Sequence, residues 1–306
     1  MNNSMNVSNV ETSNKLPMLP LIFRIQYLVI VVFYAISCTS QFHVFYKVCT
    51  TSLKQQLTFY LILNIFIWCV DCLFGLVHIG YLLVFSFGSE PFSGPISFWS
   101  GDIFYSLGIC VSISLTFLLA SRIVIIFRPL MSNQIKKTYI IGTVVVIAYG
   151  FSPAIVTALI ETIPQQTNCG TFSCPLTKTR GLLFSGLRFA ISSVNIVLAS
   201  IFLYKFAKHG KQRLNAFQQQ QRKNNLIAAY AICSEFLLNF LPPTVYLILA
   251  LSIDQSALGP YPTVFYAFDA LVTAVIYRRV ILHQFSQQTL IVSLNNQNVT
   301  QTNHSI

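Results

Sequence analysis

Charge is what this sequence has least of. Only 9% of its 306 residues are charged, whereas 54% are apolar and the mean hydropathy is +0.65; a soluble domain is about 25% charged. That scarcity excludes a disordered chain and an ordinary water-soluble globule. The net charge of +11 does not indicate nucleic acid, because bases that neutralise phosphates must sit on a wet surface. Chemistry-bearing motifs are missing as well. There is no nucleophile elbow, phosphate loop or metalloprotease motif, and the five histidines are scattered, so the sequence gives no support for an enzyme, a metal site or a cofactor. The remaining solvent is a lipid bilayer, in which the backbone must be helical or form a closed barrel. Barrel strands alternate in polarity over about 10 residues. Here most apolar runs are about twice that long and do not alternate, so helices are expected.

About 20 mostly apolar residues span the hydrocarbon core. Seven runs qualify: Leu21–Phe45, Leu57–Leu83, Ile103–Phe127, Thr138–Ile160, Leu182–Tyr204, Leu226–Leu251 and Tyr261–Tyr277. Polar or Gly/Pro-bearing connections separate them, such as Ser93-Gly94-Pro95 and Gly259-Pro260. No loop is long enough for a second domain, and no internal repeat suggests an inverted-repeat transporter. The expected organisation is an outer tail over residues 1–19, a seven-helix domain over 20–283 and a cytoplasmic tail over 284–306.

Basic residues set the orientation. With the N-terminus outside, 14 of the 19 Lys and Arg fall on the cytoplasmic side, including Lys136, Lys137 and the cluster from Lys205 to Lys223. Cytoplasmic loops carry such an excess, so the sequence predicts N-out and C-in. The acids agree: Glu11, Glu90, Asp102, Glu161 and Asp254 fall outside, Asp71, Glu235 and Asp269 fall within spans, and none is cytoplasmic. The first 19 residues lack an apolar signal core, so the first span is expected to direct insertion. In this topology Asn2 and Asn6 head outer glycosylation triplets, with Asn6 the better placed. Cys169 and Cys174 share one outer loop, where a local disulfide is a candidate. Five of the other cysteines lie in spans as small apolar residues.

Ionisable groups at membrane depth are costly and mark function by default. Asp71 lies 14 residues into its span, about 21 Å along the helix. Glu235 and Asp269 also fall near mid-membrane, with Asn64 on the Asp71 face and Asn239 and Asn195 able to face inward. No base lies at similar depth in these runs, so shared protons or a cation would relieve repulsion. The set reads either as a polar switch or ion site, or as hydrogen-bonding glue between helices. On the outer side, Arg188 lies about 9 Å into the fifth run. It reads either as a snorkelling anchor or as a clamp for an anionic head group; against the clamp, Asp102, itself a ligand candidate, or Glu161 could occupy it in the empty state. Tyr246, Tyr261 and Tyr266 either line a pocket or belong to an interfacial aromatic belt.

The third span is the most informative. Ala120-Ser121-Arg122 ends it, and Arg128-Pro129 puts a proline seven residues after the Arg. Two further stretches stand out: Glu235-Phe-Leu-Leu-Asn-Phe-Leu-Pro-Pro243, and Phe268-Asp-Ala-Leu-Val-Thr-Ala-Val-Ile-Tyr277-Arg-Arg279. In these the chain resembles the seven-helix G protein-coupled receptors, and within them the nematode serpentine chemoreceptors of class BC (Srbc). The resemblance in layout covers nearly the whole chain. It implies an all-α, multi-pass receptor at the plasma membrane of a sensory cell, at its cilia, with a small-molecule ligand and a heterotrimeric G protein as partners. It also implies that Arg122, Pro129 and Tyr277 belong to the inner switch for G protein coupling. Pro242 and Pro243 would replace the kinking proline of the sixth helix, so that its inner half can swing. Some features depart from the receptor pattern. Ser121 stands where an acid would precede the Arg, the seventh helix has no Asn-Pro-x-x-Tyr, and Cys110 lies too deep for the usual outer disulfide. A second class of function, an ion-conducting chemoreceptor or small-solute transporter, draws only on the mid-membrane acids.

Overall fold

The computed structural model describes residues 21–50, 59–88, 92–127, 132–160, 162–163, 165–167, 178–209, 230, 233–252, 260–279 and 281. These form seven helices: α1 (Leu21–Thr50), α2 (Phe59–Ser86), α3 (Gly94–Phe127), α4 (Ser132–Ile160), α5 (Lys178–His209), α6 (233–252) and α7 (261–279). Helices α1 to α5 are each long and apolar enough to cross a membrane. The only sheet among the described residues is a two-residue ribbon. Its strands, β1 (Phe92–Ser93) and β2 (Gln166–Thr167), pair antiparallel with Phe92 opposite Thr167. The ribbon ties the chain ahead of α3 to the chain beyond α4, and the Ser93 N–H donates to Tyr81 Oη of α2 at 2.9 Å. One end of the bundle is thereby fixed, the entry end, at which α1, α3, α5 and α7 begin. Lys47, Arg122, Lys205, Arg278 and Arg279 lie toward the opposite, basic end.

The helices extend beyond the apolar runs that announced them. Helix α3 starts at Gly94 rather than Ile103, because Pro95 needs no N–H partner in a first turn and its fixed φ suits a helix. Helix α5 starts at Lys178 and runs to His209, past both ends of its expected span.

Polarity is turned inward. Ile140, Ile141, Val144, Leu159 and Ile160 of α4 are exposed apolar side chains, whereas Asn64, Asp71, His78, Asp102, Asn195, Asn239 and Asp269 are buried. In lipid, apolar side chains gain nothing by facing one another, so association falls to close packing and interhelical hydrogen bonds. Helices α3 and α4 show both. A Cβ at Gly150 would overlap Cys110 Sγ of α3, so glycine lets these two backbones close; Gly142 of α4 likewise makes room for α2, where a Cβ would lie 2.6 Å from Tyr60 Oη. Near the entry end Thr157 Oγ1 of α4 donates to Asp102 Oδ2 of α3 at 2.8 Å. Aromatic contacts fix the middle of the bundle, including Tyr34 of α1 edge-on to Phe104 of α3 and Trp68 of α2 stacked on Tyr266 of α7 at 5.6 Å.

Candidate functional site

Halfway down the bundle, four helices bring charged and polar side chains into one layer. Arg188 lies ten residues past the start of α5, about 15 Å along the helix. Its guanidinium rests on the Tyr266 ring of α7, 4.0 Å from the centroid. The same group donates through an Nη to Asn239 Oδ1 of α6 at 2.7 Å. Asn239 in turn donates through Nδ2 to Asp269 Oδ2 of α7. The amide therefore stands between a cation and an anion, accepting from one and donating to the other. Hydrogen bonds to ionised groups contribute about 1.5–3 kcal/mol each, and a desolvated cation over an aromatic face adds about 0.5–2 kcal/mol. Asp71 of α2 is fully buried nearby; the Tyr266 hydroxyl faces its carboxyl without closing a hydrogen bond to it.

A second polar group continues toward the basic end. Tyr277 Oη of α7 donates to Asn64 Oδ1 of α2 at 2.6 Å, Asn64 Nδ2 donates to Ser114 Oγ of α3 at 2.6 Å, and Ser114 closes on its own helix at Val111 O. Between the two groups is a cavity of about 10 Å³, lined by Asn64, Trp68, Ser234, Asp269, Thr273 and Tyr277 among others. That is room for about one water molecule, in a polar setting that suits one. Lower on α3, Thr116 Oγ1 donates to Asn195 Oδ1 of α5 at 2.6 Å, and Asn195 Nδ2 donates to Ser112 O. Arg122 follows two turns beyond Ser114 and keeps only 2% of its surface exposed. Together these contacts join α2, α3, α5, α6 and α7 through side chains that a sliding helix would have to re-pair.

A family model, serpentine type 7TM GPCR chemoreceptor Srbc, matches residues 18–285. The chain belongs to that family. A search of curated proteins finds no match to it. As a member of a seven-transmembrane receptor family, with apolar faces turned outward, the Srbc chain is a multi-pass membrane protein.

Several expectations for this Srbc chain change once its side chains are placed. The mid-membrane acids do not lack a base at their depth: Arg188 reaches them through Asn239. Arg188 is not a snorkelling anchor, since its guanidinium packs on Tyr266 inside the bundle. Its hydrogen-bonding partner is an amide rather than Asp102, which is fully buried and holds Thr157. Tyr266 and Tyr246 are 3% and 7% exposed, so neither belongs to a lipid-facing belt. Tyr261 stands at the start of α7, edge-on to Phe265. Pro242 and Pro243 are buried in the first turn of the regular part of α6. Sequence reasoning missed Trp68, Ser114, Thr116 and Thr157; a Ser or Thr inside an apolar run was the available signal for three of them. Asn2, Asn6, Pro129, Cys169 and Cys174 lie outside the described residues, as does Glu161, and for Glu235 only the backbone is described.

Proposed function

We propose that this chain is a G protein-coupled chemosensory receptor of the plasma membrane, with the entry end outside and the basic end facing the cytoplasm. A small-molecule cue enters the outer half of the bundle and shifts an equilibrium between two packings of the helices. The observation that carries this reading is the succession of polar contacts down the bundle axis. Arg188, Asn239 and Asp269 link α5, α6 and α7; a water-sized cavity lies below them; Tyr277, Asn64 and Ser114 link α7, α2 and α3. A cue that engages Arg188 meets a side chain already tied to α6 and, through Asn239, to α7, and so acts on both helices together. Arg122, two turns farther along α3, is the residue assigned to G protein activation at the basic end, alongside the basic stretch of sequence from Lys205 to Lys223.

Arg122→Ala provides the test. The variant should reach the cell surface at the wild-type level and lose most or all G protein activation. Normal signalling at equal surface density overturns the assignment. An epitope on the N-terminal tail, stained on intact cells, tests the orientation in the same preparation.

A further inference from the structure

The sixth helix is not uniformly α-helical. Over Glu235–Phe240 it is a π-helix, and the Leu241 N–H donates to Phe236 O, a bond five residues back. The cause stands next in the chain. Pro242 and Pro243 have no N–H, and their rings crowd the carbonyls four residues earlier, those of Leu238 and Asn239. An α-helix through this point would press both rings against those carbonyls; either winding leaves carbonyls opposite the prolines without a backbone donor. The wider π turn relieves the crowding, and it stores about one residue more than an α-helix of the same length.

Asn239 anchors the far end of this segment, bonded to Arg188 and Asp269. Any change of winding therefore accumulates on the near side, toward the basic end. Rewinding the six residues as α-helix turns the upstream part of α6 by about 100° and advances it by about 1.5 Å, one residue's worth of helix. Ser234, buried beside the small cavity, would leave it for the exposed direction that Cys233 now takes.

We infer that this π segment is the conformational device of the receptor: a stored residue whose release rotates the cytoplasmic end of α6. The resting packing holds the wide turn, and activation closes it. The inference rests on the receptor reading for its link to signalling, but the winding change itself does not depend on a G protein.

Two variants have opposite expected effects. Pro242→Ala/Pro243→Ala restores both N–H donors, favours α winding and should raise basal signalling toward the cue-stimulated level. Deletion of Leu237 removes the stored residue, so the segment closes as α-helix with the upstream face unrotated; the response should be lost at normal surface density. A trifluoromethyl label on Cys233 of the full-length receptor reports rotation directly by fluorine NMR, with its resonance identified by its loss in Cys233→Ser. The resonance should move in the double proline variant and stay at the wild-type position in the deletion variant. The single variants Pro242→Ala and Pro243→Ala, which should give smaller shifts in the same direction, serve if the double variant does not fold. An unmoved resonance in every proline variant overturns the inference, as does the same new position in the deletion variant. Resonances that behave as expected without any change in signalling leave the winding device standing and refute its coupling to a G protein.

Discussion

Replacing Asn239 by Leu tests the central contact most severely, because the side chains are close in size and only the hydrogen-bonding capacity is lost. Asn239 is 1% exposed and holds Arg188 on one side and Asp269 on the other. Two hydrogen bonds to ionised groups amount to about 3–6 kcal/mol. Arg188 is only partly buried and can turn toward water or toward Asp269, so the lower figure, roughly 3 kcal/mol, is the one to expect. For a chain of this size, with an unfolding entropy of about 2 cal/mol/K per residue, that corresponds to a fall in apparent Tm of about 5 °C. A dye that fluoresces on reacting with thiols suits the measurement, since Cys38, Cys69, Cys72 and Cys110 are free and buried and emerge on unfolding. The control is Arg188→Met/Asn239→Leu/Asp269→Leu. Removing every member of a buried polar network is less harmful than orphaning two of them, so the triple variant should melt above Asn239→Leu alone. An Asn239→Leu receptor that melts within about 1 °C of wild type would show that the amide bridge carries no weight, and the reasoning about this layer would fall with it.

Gly150→Ala should drive α4 off Cys110 and cost about 1–3 kcal/mol by overpacking, seen as a lower Tm; Cys110→Ala in the same chain should restore part of the loss by removing the sulfur that the new methyl meets. If Asp71 and Asp269 share a proton or a cation, replacing both by Asn should change cue affinity or its dependence on sodium and pH in membrane binding assays. A double variant that responds like wild type under all ionic conditions would leave these acids as interhelical glue. If Arg188 clamps an anionic head group, a panel of acids and their neutral amides should show the wild type preferring acids and Arg188→Gln losing that preference; equal wild-type responses to both would sink the clamp.

How far the sequence leads depends on which physical effect sets each feature. Seven helices were legible because the bilayer requires long apolar runs, and that demand is written residue by residue from Leu21 onward. Helix ends were less legible, because Gly94-Pro95 reads as a loop from composition and as a helix start from the special tolerance of proline in a first turn. The inward facing of Asn64, Asn195 and Asn239 was open to inference from the cost of an amide in hydrocarbon. Their partners were not. That Arg188 meets Asn239 and not Asp102 depends on the relative rotation of α5 and α6, and rotation is decided by packing across many residues. The same holds for Tyr266: hydropathy treats a tyrosine near a helix end as interfacial, whereas Trp68, Phe104 and the Arg188 guanidinium enclose this one.

The sixth helix shows how a local rule and a global outcome can be separated by one step. From the pair Pro242-Pro243 alone, a kink is the natural expectation, since each proline removes a backbone bond and crowds the carbonyl four residues back. Ahead of the prolines the structure also widens the turn, which adds a second way for the inner half to move. The difference has consequences for function. A kink changes the direction of a helix and lets its inner half swing; a wide turn changes the count of residues per turn and lets that half rotate about its own axis. Swinging would alter the distance from α3 to the end of α6 and keep the same face inward. Rotation keeps the axis and exchanges one face for another, taking Ser234 from its place beside Asn64 and Tyr277. Because Asn239 ties the segment to α5 and α7 at its far end, rotation is the motion that can proceed without first breaking the Arg188–Asn239–Asp269 bridge. Spin labels on the cytoplasmic ends of α3 and α6 separate the two: a swing lengthens the distance between them on activation, whereas rotation leaves it nearly constant while the Cys233 fluorine signal moves.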